Sequence, residues 1–166
     1  MPEQTRINAI WFFAFVLFGC DSQPVPKDVS SDDSAAPSCR SGLNTTSIDG
    51  FSFVELAVDG LSTLPQPESV CMSSDGLEFE LVYAVEDITG RVGVGVSEAG
   101  AWGVPSAQVL GLRVIYGDAE WNAPTFYAGS VSVEASGTST EGSLEAEATN
   151  DTSQLNINLV WTAPLP

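Results

Sequence analysis

The chain contains no histidine, and its 5 basic residues stand against 22 acidic ones, for a formal charge of -17. Without imidazole there is no Ser-His-Asp or Cys-His catalysis and no zinc site built on histidine. Lysine is almost as scarce. Lys27 is the sole one and lies in a polar Ser/Pro/Asp stretch, which removes Ser-Lys dyads and Schiff-base lysines from the folded part. The basic residues after it are Arg40, Arg91 and Arg113, too few to neutralise a phosphate backbone, so nucleic acid is not a partner. Long Leu/Lys/Glu/Ala blocks of the helical kind are also missing. Gly, Ser, Thr, Val and aromatic residues stand out instead, a balance that points to strands. The acidic excess reads as solubility through self-repulsion.

What is present begins with an apolar run, Ile7 to Phe18, broken only by Asn8 and preceded by Arg6. A membrane-spanning helix needs about 20 apolar residues, whereas a signal-peptide core needs about 7–15. Twelve positions fit the second. The run ends in Leu17-Phe18-Gly19-Cys20, with no small-residue cleavage site of the Ala-x-Ala kind. This resembles the lipobox of bacterial lipoproteins: Leu three before the cysteine, a small residue just before it, then the cysteine. Phe18 stands where small or medium residues are commoner. The resemblance implies that residues 1–19 are a lipoprotein signal peptide and that Cys20 carries a diacylglyceryl thioether. Cleavage before Cys20 would make it the acylated N-terminus. The expected location is the bacterial cell envelope, with the membrane as a partner through the lipid anchor. Two or three acyl chains hold a protein firmly, since each buried methylene contributes about 0.8 kcal/mol. Asp21 resembles the inner-membrane retention signal of enteric lipoproteins, but other bacterial groups read that position differently, so inner and outer membrane both stay open.

Cys39 and Cys71 then remain as an even pair in an exported chain, which predicts a disulfide between them. Closing that loop would constrain the unfolded chain by roughly 3–4 kcal/mol. Residues 20–38 are rich in Ser, Pro and Asp and cannot bury enough apolar area to fold, so they read as a disordered acidic tether. Its span as a coil is roughly 20–25 Å.

Residues 39–166 form the domain. Their pattern has period two, with turn residues between the runs. Ile48–Val58 is a candidate strand, and Ser69–Met72 a short one carrying Cys71. Leu77, Phe79, Leu81, Tyr83 and Val85 share one face, opposite Glu78, Glu80 and Glu86, and a turn is expected over Asp87–Gly90. Val92, Val94 and Val96 point inward, while Gly93 and Gly95 suggest a bulge or a close approach of backbone. Leu110, Leu112, Val114 and Tyr116 share a face, as do Tyr127, Gly129, Val131, Val133 and Ala135. A hairpin turn over residues 134–142 leads to Leu144, Ala146 and Ala148, and Leu155, Ile157, Leu159 and Trp161 close the set. About seven or eight strands at this spacing predict an all-β fold, an antiparallel β-sandwich, with an antiparallel β-barrel as the alternative.

Three constellations could carry function. Glu78 and Glu80 project from one strand face about 6.5–7 Å apart, a separation used by paired carboxylates in glycoside hydrolysis, although a solvated strand face carries such glutamates equally well. Asp118, Glu120 and Asn122 place oxygen donors at every second position and could hold a structural Ca²⁺, or simply form a solvated turn. Trp102 and Trp121 lie among Gly, Ala and Pro, hence on loops. They could form a ligand-binding platform for a glycan or protein, or plug the ends of the sandwich. The Asn-x-Thr triplets at Asn44 and Asn150 carry no weight behind a bacterial lipoprotein signal. The leading reading is a non-enzymatic binding or structural module displayed on a lipid-anchored tether, with an unknown protein or glycan ligand. The alternative is a calcium-assisted carbohydrate-binding or adhesion module, and a carboxylate-based glycan-active enzyme ranks third.

Overall fold

The computed structural model describes residues 39–166, so the expectations for Leu17, Phe18, Gly19 and Cys20, for the signal peptide and for the tether lie outside the described residues. In chain order the strands are β1 (Asn44–Thr46), β2 (Phe51–Val58), β3 (Leu61–Thr63), β4 (Gln66–Met72), β5 (Glu78–Val85) and β6 (Ile88–Val96). They continue with β7 (Gly100–Gly103), β8 (Val109–Tyr116), β9 (Ala119–Asn122), β10 (Phe126–Ser136), β11 (Ser139–Thr149) and β12 (Gln154–Pro164). A single 3-10 turn, Ala123–Thr125, joins β9 to β10.

These strands make two open six-stranded sheets, β1-β4-β5-β6-β8-β9 and β3-β2-β12-β11-β10-β7, antiparallel throughout. The fold is therefore an all-β sandwich, and the barrel alternative is set aside because neither sheet closes on itself. Eight of the twelve strands are those that alternation marks. The four it misses, β1, β3, β7 and β9, are three or four residues long and are the edge strands of both sheets. Short edges offer little unpaired backbone to a neighbouring chain, which is a common defence against edge-to-edge association.

The core lies between the sheets. Phe79, Leu81, Tyr83, Val92, Val94, Leu112 and Val114 come from the first sheet. Leu144, Ala146, Leu155, Ile157, Leu159 and Trp161 come from the second. Aromatic contacts cross the gap. Phe79 meets Phe51 and Trp161 edge-on at 5.2 and 4.8 Å, and Tyr83 meets Phe53 at 5.1 Å. Full burial of each such side chain stabilises the fold by roughly 1.5–3 kcal/mol. Trp161 lies over Gly142, where a Cβ would fall 2.3 Å from the indole ring, so glycine is required there.

Two inward sets change phase, for one reason. A register shift between Gly95 and Val96 turns Leu110 outward, 69% exposed, while Leu112 and Val114 stay in the core. A second shift between Phe126 and Ala128 buries Phe126 and leaves Tyr127 55% exposed. One extra residue in a strand reverses the side-chain parity that alternation assumes. The turn expected over Asp87–Gly90 is tighter: Val85 pairs with Ile88, and Glu86 takes φ +51° in a two-residue hairpin turn.

A groove on the outer face of the first sheet

The predicted disulfide is present. Cys39 and Cys71 are bonded, with Cα atoms 5.6 Å apart. Cys71 alternates with buried Val70 and Met72, so the bond sits on the outer, solvent side of the first sheet. This places Arg40 over that face, where it pairs with Glu78 and reaches within 3.9 Å of Glu80.

Register then builds a surface across β5, β6, β8 and β9. Glu80 lies opposite Gly93, Gly93 opposite Arg113, and Arg113 opposite Asn122. In the next row Glu78 lies opposite Gly95, and Gly95 opposite Gly111. Side chains stand up around the margins, Leu110 of β8 among them, and the glycines leave the floor between them bare. The result is a groove of about 510 Å³, with Arg40, Glu78 and Glu80 on one wall and Arg113, Asn122 and Pro124 on the other. That volume falls within the range of small-ligand sites, roughly 300–1,000 Å³.

The floor glycines are not required by the chain itself. None of Gly93, Gly95 and Gly111 has a positive φ in the left-handed region. A Cβ at Gly111 would meet nothing within 4 Å, and those at Gly93 and Gly95 would come no closer than 3.9 and 3.5 Å to a neighbour. A glycine in a strand interior costs about 0.5–1 kcal/mol relative to alanine. Three of them in one patch hold open a space that the fold does not need.

Charge is concentrated here as well. Arg40, Arg91 and Arg113 are the only basic side chains among the described residues, and all three lie on this face. Arg91 pairs with Glu80 at 2.5 Å, and Arg113 with Glu120 at 2.9 Å. The hydrogen bond from Arg113 lowers the pKa of Glu120 below the ordinary glutamate range, and the same bond raises that of Arg113. Guanidinium forks, carboxylates and the Asn122 amide give the groove planar donors and acceptors, suited to holding a ligand by several hydrogen bonds.

The other sequence candidates are placed differently. Trp121 is fully buried on β9, its indole N–H donating to the Ser153 carbonyl at 3.3 Å. Trp102 is half-buried on β7, donating to the Glu98 carbonyl at 3.3 Å. They belong to edge strands of different sheets, and the burial of Trp121 overturns the two-tryptophan platform. The reason is local: AEWN forms a strand, and strand parity sends Trp121 into the core while Glu120 and Asn122 face outward. The calcium grouping is not assembled either. Glu120 is committed to Arg113, the backbone of Asn122 is bonded to the Thr125 hydroxyl, and Asp118 sits exposed in the preceding turn. Among the described residues no three His, Cys, Asp or Glu side chains are grouped to hold a metal.

Glu78 and Glu80 do share a face as expected, but both rise from one wall and have arginine partners. Glycosidase pairs flank the scissile bond from two sides. The sequence signal for the groove was the Gly93–Gly95 pair. Gly111 and Arg40 join it only through cross-strand register and the disulfide.

Comparison with known proteins finds no match, whether to a protein-family model, a curated protein or a solved structure.

Proposed function

We propose that this chain is a lipid-anchored bacterial envelope protein whose β-sandwich is a non-enzymatic binding module, with the groove on the first sheet as its ligand surface. The observation that carries the reading is the glycine floor between charged walls, maintained at a cost in strand stability with no return to the fold itself. Residues that lower stability without a structural reason are expected where binding sets the requirement. The blunted sheet edges support recognition through a face rather than through strand addition. The Leu17-Phe18-Gly19-Cys20 motif supports the anchor, and the Cys39–Cys71 bond suits an oxidising compartment outside the cytoplasm. The ligand is a protein or glycan of the envelope, held by hydrogen bonds donated by Arg113 and Asn122 and accepted by the carboxylates.

The test is a titration of the ¹⁵N-labelled domain with peptidoglycan fragments, neutral oligosaccharides and a peptide panel. Binding in the groove should shift the amides of Gly93, Gly95 and Gly111. Gly111→Val, which fills the floor, should abolish the shifts without altering the rest of the spectrum. Shifts confined to other surfaces would place the site elsewhere, and none with any ligand would remove the binding reading. For the anchor, labelled fatty acid should enter the wild type and not Cys20→Ala.

A further inference from the structure

The disulfide and the groove share a wall, and the chain around that wall is held unevenly. From Leu43 onward the segment is fixed independently of the bond. Leu43 is buried, and β1 pairs with β4 from Asn44 to Thr46. Before Leu43 the ties are few. Besides the disulfide, one turn bond joins the Leu43 N–H to the Arg40 carbonyl at 3.1 Å, the Cys39 sulfur lies 3.5 Å from the Thr45 hydroxyl, and the Arg40 side chain is 55% exposed in its pairing with Glu78 and Glu80. Exposed ion pairs contribute little. Gly42 between them has φ +92° and open space around its α-carbon, a position from which the preceding residues can swing. A smaller cleft beneath the bond, lined by Arg40, Glu80, Val82 and Arg91, leaves room beside it.

We infer that Cys39–Cys71 is a redox latch that sets the charge and width of the groove by holding Arg40 on its wall. A dithiol reductant attacks one sulfur as thiolate and forms a mixed disulfide, and its second thiol then displaces that bond. Cys39 and Cys71 leave as two thiols, and the reductant leaves as a cyclic disulfide carrying away the two-electron oxidation. Both cysteines are half-buried on the solvent side, within reach of such a reagent. Once the bond is cut, residues 39–41 swing about Gly42 and Arg40 leaves Glu78. The groove then widens and gains one uncompensated negative charge, while the core keeps its packing. The regulatory meaning of the latch rests on the groove being the ligand surface, but the latch itself is tested with no ligand present.

The experiment compares the full chain, oxidised and after dithiothreitol, by amide exchange and ¹⁵N correlation spectra. Reduction should speed exchange of the Leu43 amide about tenfold, as local opening there no longer works against the bond. The chemical shifts of Val92 and Leu144 should stay unchanged, since the core keeps its packing. The shifts at Glu78 and Gly95 should move as they do in oxidised Arg40→Ala, which removes the wall residue and keeps the disulfide. Reduction that leaves Glu78 and Gly95 at their oxidised positions would overturn the latch. So would loss of the Leu144 signal on reduction, since the bond would then be a staple for the whole fold.

Discussion

The two outer faces of the sandwich come from sheets of equal strand number, yet they carry opposite designs. On the first sheet every arginine of the described residues is paired with a glutamate, and three glycines hollow out the middle. On the second, Glu55, Glu134, Glu141, Glu145 and Glu147 stand among Ser, Asn and Val with no cation beside them. Glu134 and Glu141 are even direct cross-strand partners, an arrangement that repels. The second face carries its like charges without a balancing cation, and they are tolerated because water and salt screen them. The first has charge balance, concavity and bare backbone together, none of which a soluble sandwich needs. A face filled with glutamate has no such hollow, whereas bare glycines between charged walls leave the room that the proposed binding role requires.

The largest effect should follow from cutting the covalent tie on the first face. Cys39→Ser should lower unfolding stability by roughly 3–4 kcal/mol on the loop-closure argument, read as a fall in denaturant midpoint with the fold retained. The glycines offer the next contrast. Gly142→Ala pushes a methyl into the Trp161 ring and should cost about 1–3 kcal/mol or more in a melt. Gly111→Ala has open space and should stabilise by about 0.5–1 kcal/mol in the same assay while weakening binding in the groove. A destabilised Gly111→Ala would mean that the fold does need this glycine.

On the second face, Glu134→Lys replaces a repelling pair with an attracting one. It should stabilise by about 0.2–1 kcal/mol, more at low salt than at high, by chemical denaturation. The smallest effect concerns protons. Glu120 is held below its ordinary range by Arg113, and Asp75 by the Ser73 hydroxyl and the Leu77 amide. Both therefore contribute stability that is complete above the ordinary carboxylate range and is lost as pH falls through their lowered values. Arg113→Ala should raise Glu120 in an NMR titration and leave Asp75 where it is.

The contrast between faces was half legible in the sequence. Alternation in GLEFELVYAVE places Glu78 and Glu80 outside and Phe79, Leu81 and Tyr83 inside, because a strand with one wet face must alternate. Cys39 and Cys71 follow from counting. Gly93 and Gly95 were noticeable as glycines in a strand, but their meaning depends on Gly111, which cross-strand register brings opposite Gly95. Arg40 reaches Glu78 across 38 residues of sequence, a distance over which no local pattern operates. Trp121 misled because Gly, Ala and Pro around it resemble a loop, and a four-residue strand is too short for period two to show. Leu110 and Tyr127 misled because a bulge has no signature in alternation.

The Cys39–Cys71 bond has a mechanical meaning besides its chemical one. If tension arrives from residues preceding Cys39, it passes through the sulfur bridge to Cys71, where β4 lies between Thr45 of β1 and Glu80 of β5. The three-residue β1, which would peel first under load, is taken out of the force path. A domain held at its N-terminal end under drag would be pulled on inside a sheet instead of at a frayed margin.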